Sequence, residues 1–473
     1  MAADMEARYQ ESLNRYVTAM RNGRPDRVPI RPFVAEFVAK YAGYTCQDVT
    51  HDFNKAFEAT CRCAKDFEWD ATVGNMVYVW TGLTEAIGLK YYGVPGIDVP
   101  PNTGFQYREP EEDAAFMKAD EYDALIADPT GFLLETWLPR VTKDVVPPGA
   151  PSTLANNLSF LKGGMAMLNY FGAFPAQGER LRQECGTVSA ISGIFKAPLD
   201  IIGDKLRGYL GLTMDLLLQP EKVLEACEAL MPHLYQAALG GADPEHQVPI
   251  GFWMHRGCTP FITADHFDQI HWPTLKPIIE ELWKQGHQTL FYAEGDWNAH
   301  LDAFSELPDQ SIVYHVDRGD IFEVHRKIGH KFCITGGLPN TLLSYGTPDE
   351  VRAYCRKLIE EVGQDGGYIM DASAIIQNDA HEENMRAMTE ATREFGVYSQ
   401  APSPAPEPAD ASGLPGLSKH EDRTRRKPGS CVPWEEKAKD LPRISGDAAT
   451  IQRIWEDVDA LANMYIWHCL LSF

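Results

Sequence analysis

The sequence predicts an α/β protein built around a closed barrel of parallel strands, and three observations carry that expectation. Five short β-rich runs, VPIGFWMH, QTLFYAE, SIVYHV, KFCITG and GYIMDAS, follow one another between about residues 246 and 398. Amphipathic helical stretches separate them, and repeated β-α units make the strands parallel because each helix returns the chain to its starting end. Regular alternation on a chain of 473 residues suits a barrel better than an open doubly wound sheet.

Taken in chain order, the region before residue 246 is mixed. It holds the helical stretch LRGYLGLTMDLLLQPEKVLEACEALMPHLYQAAL and the Gly-rich LKGGMAMLNYFGAF, and it is expected to supply the first strands plus insertions. HWPTLKPIIEELWKQG reads as a helix between strands. The best-marked helix begins at Thr347, an N-cap followed by Pro348 and closed by Glu350 in a T-x-x-E capping box, with Gly363 just past its end. Val351, Cys355, Leu358 and Val362 supply its inward face. After Tyr398 the composition turns to SQAPSPAPEPADASGLPGL, which cannot build a core. The expected division is a barrel over 1–398, a linker over 399–418 and an extension over 419–473. The extension opens on a small basic patch, KHEDRTRRKPG. It ends in a helix with Ile454, Val458, Leu461, Met464, Tyr465 and His468 at helical spacing, expected to dock on the same or a neighbouring subunit of a homodimer.

Composition narrows the function. Hydrophobic residues at 44% and charged residues at 23% describe a globular chain, and 67 acidic against 43 basic residues leave a formal charge of -24. Nucleic acid and anionic membranes are held by clustered Lys and Arg, so neither is an expected partner. The acidic start, MAADMEARYQ, and the lack of an 18-residue apolar run point to the cytoplasm. Ten cysteines occur without a C-x2-C pair, so reduced, buried thiols are expected rather than a zinc ribbon or a disulfide framework.

Barrel enzymes take their reactive groups from the C-terminal ends of strands. Here those positions carry His255, Glu294, His315, the Thr335-Gly336-Gly337 turn and Asp371. A His, a Glu and a His on successive strands are ligand types for a catalytic zinc with an open position. The alternative is that His255 hydrogen-bonds in the barrel mouth while Arg256 pairs with Glu294. Asp296 reads as a helix cap, and Asp317, Arg318 and Asp320 as a solvated loop. Tyr292, Tyr314, Trp253 and Trp297 are either walls for an aromatic substrate or core packing. No nucleophile elbow, Walker loop or dinucleotide fingerprint follows a strand.

PDRVPIRPF, MKADEYDALIADPTGF, HWPTLKPIIEELWKQGHQTLFYAEGD, ITGGLPNTLLSYGTPDEVRAYCRKLIEEVGQDGGYIM and HEENMRAMTEATREFG together resemble the uroporphyrinogen decarboxylase superfamily, over roughly residues 10 to 398. The resemblance implies a (β/α)8 TIM barrel. Porphyrin decarboxylases of that superfamily carry an R-Q-A-G-R segment, whereas this chain reads PIRPFVAEFVAKYAG with Glu36. Its thiol-directed methyltransferases carry an H-x-C zinc motif where this chain has Tyr292 and Glu294, and a later Cys near Ser373, Ala374 and Ile375. The corrinoid-dependent O-demethylase methyltransferases follow an acid, Glu, His pattern with 14 and 20 intervening residues, and Glu294 and His315 match its second half. Position 279 is Ile279, with Glu280 one residue off, so the third ligand is His255 or Glu280.

That resemblance implies one zinc per chain on Glu294, His315 and His255, with Glu294 and His315 catalytic. Tyr292, Tyr314, Trp253 and Arg256 would bind a small-molecule methyl donor, a methoxylated aromatic. No D-x-H-x-x-G occurs in the chain, so the corrinoid would come from a separate protein. The alternatives are a cofactor-free decarboxylase with Arg256 facing the substrate, and a non-catalytic barrel that serves as a binding subunit.

Overall fold

A computed structural model describes residues 2–73, 81–110, 114–408, 411–417 and 424–471. Eight extended segments form its centre: β1 (residues 28–34), β2 (Ala71–Thr72), β3 (188–196, regular at Val188–Ser189 and Ile194–Lys196), β4 (Ile250–Met254), β5 (Thr289–Ala293), β6 (Ile312–Val316), β7 (Cys333–Gly336) and β8 (Tyr368–Ile369). From β3 through β8 they pair in parallel in chain order. β2 pairs with β3 through Ala71↔Val188 and Thr72↔Ser189. The Ile30 carbonyl accepts from the Asp70 and Ala71 amides at 3.0 and 3.2 Å, joining β1 to β2. The ring closes where Arg31 N–H donates to the Met370 carbonyl at 3.0 Å and Met370 N–H to the Pro29 carbonyl at 2.9 Å. The expected barrel is therefore present, with eight strands.

Period-two alternation sorts the aromatic residues into two layers. Phe252, Phe291 and Tyr314 face the surrounding helices, where Phe304 lies 5.1 Å from Phe291 and 5.6 Å from Tyr314 between ring centroids. Trp253, Tyr292 and His315 face inward. Phe33 of β1 meets Trp253 and Tyr292 edge-on at 5.8 and 5.7 Å across the barrel.

Helix Pro348–Glu361 carries the capping box read from the sequence, with Thr347 and Glu350 exchanging both bonds, and its four expected inward residues are buried. All ten cysteines are free and buried. Among the described residues no helix is long and apolar enough to cross a membrane.

The N-terminal end of the barrel is tied by charge. Asp70 accepts from Arg15 at 2.6 Å, from both Arg27 terminal nitrogens at 2.8 Å and from the Ile30 amide at 2.9 Å. A cleft of about 400 Å³ beside it pairs its charges internally. Asp70→Asn keeps an acceptor for the amide but takes the carboxylate charge from Arg27 and leaves Arg15 only its pair with Asp26. It is expected to cost roughly 3 kcal/mol, read as a lower urea midpoint.

The Pro/Ala/Ser-rich segment is extended but lies against the barrel. Arg24 and Ser403 exchange backbone bonds at 3.0 and 2.8 Å, and Gln310 donates to the Pro406 carbonyl at 2.9 Å. Residues 419–423 of the basic patch lie outside the described residues. Helix Ala448–Leu471 docks by its C-terminal half: Trp467 stacks on His233 at 4.7 Å, and Tyr91 donates to the Cys469 carbonyl at 2.8 Å. Ile454, Val458 and Leu461 are more than half exposed, because Asp459 and Asn463 face the loop at Ser430–Val432 and turn those three residues outward.

Candidate functional site

Strand register builds the site. Met254 pairs with Ala293 and Ala293 with Val316, so the residues that follow, His255, Glu294 and Asp317, share one row at the C-terminal mouth. All three line a cavity of about 460 Å³ together with Lys196, Asp204 and Arg256. Tyr92, Phe105, Tyr107 and Phe261 wall the same cavity.

Asp204 organises the charges. It lies on the helical segment after β3, where Pro198 starts a turn that continues through Arg207. One of its carboxylate oxygens meets His255 Nε2 at 2.5 Å and Lys196 Nζ at 3.1 Å, and the other meets Arg256 Nε at 2.7 Å. Burial alone would raise this carboxyl, but His255, Lys196 and Arg256 hold it well below the usual range. Burial pushes the neighbouring Asp200 up to about 6, partly offset by His255. Asp200 accepts the His255 and Arg256 amides at 3.3 and 2.7 Å, which fixes the backbone at the strand end.

His255 is oriented by this anion. Its Nε2–H donates to Asp204, which leaves Nδ1 buried, without a hydrogen-bond partner among the described residues and 3.8 Å from Glu294 Oε2. Burial would lower the imidazole, but Asp204 outweighs it and the net shift is upward. An imidazole held by a carboxylate on one nitrogen, with the other facing a second carboxylate, is the arrangement that supports a metal ion or a delivered proton. Asp317 accepts from the Gly295 amide at 2.8 Å, and burial raises it to about 6.

His315 does not join this pair. It is in register with Tyr292, two residues deeper than the mouth row, and is fully buried. Its Nε2 bonds the Ser373 carbonyl at 2.8 Å, its Nδ1 lies 3.8 Å from Asp371, and its ring stacks on Tyr292 at 4.1 Å. Burial, reinforced by Arg31, drives its pKa down to about 3, while burial lifts Asp371 to about 7 against Arg31. The ligand set expected from the sequence is corrected at this residue: reaching the mouth would require giving up the Ser373 bond and the Tyr292 stack. Among the described residues no three His, Cys, Asp or Glu side chains converge on a common ion position. His255 Nδ1 and Glu294 are the donors that fit a metal. Glu280 lies on helix Trp272–Lys284, buried beside Lys276 at 3.9 Å and away from the cavity.

Of the expected substrate contacts, Arg256 lines the cavity, with Nε held by Asp204 and Nη2 3.8 Å from Glu109. Trp253 and Tyr292 are core beneath the mouth, and Tyr314 is corrected to the outer layer. The walls include Tyr92 and Tyr107, on a two-residue antiparallel ribbon too short to leave a periodic signal in the sequence, and Phe105 just before it. Tyr314→Phe is accordingly expected to leave turnover within about twofold, whereas Tyr107→Ala raises KM about tenfold. Steady-state kinetics on the two variants separates core from wall.

The uroporphyrinogen decarboxylase (URO-D) family pattern matches residues 176–395. A methyltransferase from Methanosarcina mazei has a similar solved structure, with a TM-score of 0.55 and 15% identity, covering 81% of this chain and 98% of that one. No curated protein matches the chain.

Proposed function

We propose, from the premise that residues 176–395 belong to the uroporphyrinogen decarboxylase superfamily, that the protein is a methyltransferase that moves a methyl group from a methoxylated aromatic to a corrinoid carried by a separate protein. The observation that carries this reading is the His255–Glu294 pair facing an aromatic-walled cavity at the barrel mouth. The shared fold with a methyltransferase supports it.

The reaction converts an aryl methyl ether, a proton and Co(I) into a phenol and methyl-Co(III). The leaving oxygen needs its developing charge neutralised, and the methyl carbon needs an in-line approach for the cobalt. Tyr107, Phe105 and Phe261 hold the aromatic ring. Asp204 fixes the His255 tautomer, so Nδ1 is directed at the point where the oxygen sits beside Glu294. Asp317 is a carboxyl able to carry a proton near neutral pH in the same row. Zinc belongs to this proposal through His255 Nδ1 and Glu294, and would supply Lewis acidity at the ether oxygen. Arg256 is engaged by Asp204, which favours methyl transfer over a decarboxylation that needs a free arginine.

The test mixes the protein with cob(I)alamin and a panel of methoxylated aromatics and follows the visible spectrum. Conversion to methylcob(III)alamin that requires both protein and ether is the expected result. An unchanged spectrum across the panel contradicts the reading.

A further inference from the structure

We propose that Lys205 anchors a carboxylate on the aromatic substrate, so that the methyl donor is a methoxylated aromatic acid rather than a neutral ether. The substrate class rests on the methyl-transfer reading, but the anion subsite is tested without it.

The argument starts from the cations of the cavity. Lys196 is spent on Asp204 at 3.1 Å, and Arg256 on the same carboxylate at 2.7 Å. Arg318 is 82% exposed and lies 4.0 Å from Asp317. Lys205 differs from all three: it is 1% exposed, lines the cavity, and has no carboxylate within ion-pair distance among the described residues. Its Nζ instead sits over the rings of Tyr91, Tyr92 and Tyr107, at 4.3, 5.4 and 5.5 Å from their centroids.

Its position is fixed. Trp137 Nε1 donates to the Lys205 carbonyl at 2.7 Å, and the Tyr107 hydroxyl donates to the carbonyl of Asp204. The aromatic wall and the ammonium are therefore set as one unit, flat faces beside a point charge, which suits an aryl carboxylate. Burial, with Lys196 adding to it, disfavours the charged amine and pulls its pKa well below the usual lysine value. An anion at Nζ favours the charged amine and so opposes that shift.

The test uses benzoate and benzamide, which have no methyl group to transfer, and calorimetry on the full chain. Wild type is expected to bind benzoate roughly tenfold or more tighter than benzamide. Lys205→Met should abolish that preference by weakening benzoate alone, and Lys205→Arg should keep it. No preference in wild type, or a preference surviving in Lys205→Met, overturns the subsite. An intact preference in a protein that transfers no methyl group from any ether instead overturns the reaction and leaves the subsite standing.

Discussion

Glu294→Gln is expected to lower methyl transfer by at least about 100-fold while leaving the melting temperature close to wild type. The side chain lies at the mouth, 49% exposed, and among the described residues its one ion-pair contact is the 3.8 Å approach to His255, so little folding energy is at stake. The loss should fall on kcat, because the carboxylate acts where charge develops on the ether oxygen and not on the ring that anchors the substrate. Metal analysis on the same preparations extends the prediction. About one zinc per chain is expected in wild type, lost in Glu294→Ala and His255→Ala but kept in His315→Ala, whose ring faces Ser373. Zinc lost only in His315→Ala would restore the ligand set that the geometry rejects.

Asp204→Asn carries the second large effect, and it should strike stability and activity together. The carboxylate is 3% exposed and serves Lys196, His255 and Arg256 at once. An amide keeps the shape but removes the charge, which leaves the buried Lys196 and Arg256 without this counterion and His255 without the anion that orients it. We expect a loss on the order of 4 kcal/mol in chemical denaturation and at least about 100-fold in turnover. The sign with pH follows from the depressed carboxyl. The folded state binds this proton less readily than the unfolded chain, so the stabilisation is present above the ordinary carboxyl pKa and fades as pH falls below it. Wild type and Asp204→Asn should therefore converge in stability toward low pH, and denaturation midpoints across the acid range test it.

The parts of the fold legible in the sequence are those whose signal is local. β4 to β8 are runs of apolar residues between polar turns, and helix Pro348–Glu361 announces both ends through Thr347, Pro348, Glu350 and Gly363. β2 is two regular residues, and β3 is broken around Gly193, where the Ala238 carbonyl and the backbone of Gly241 pack close. Their pairing is a property of ring closure that no short window contains.

The same division holds for the site. His255 and Glu294 follow directly on strands and could be read as barrel-mouth groups. In the sequence His315 reads as a strand end at the Glu-x20-His spacing and Asp317 as a solvated loop, yet register puts Asp317 level with Glu294 and His315 two residues deeper. Asp204 and Lys205 sit in a helical stretch after β3 with no distinguishing spacing. They join His255 and Arg256, about 50 residues away, only through the parallel pairing of Lys196 with Trp253.

The central claim is that this cavity transfers a methyl group from oxygen to a corrinoid. It is tested most directly by supplying a 4-methoxybenzoate labelled with carbon-13 in the methoxy group, together with cob(I)alamin, and analysing both products by mass spectrometry. The account predicts labelled methylcobalamin and 4-hydroxybenzoate in equal amounts with wild type, and at least about 100-fold less of both in the same time with Glu294→Gln. Release of carbon dioxide with the methoxy group retained, or equal yields from the two proteins, would contradict it.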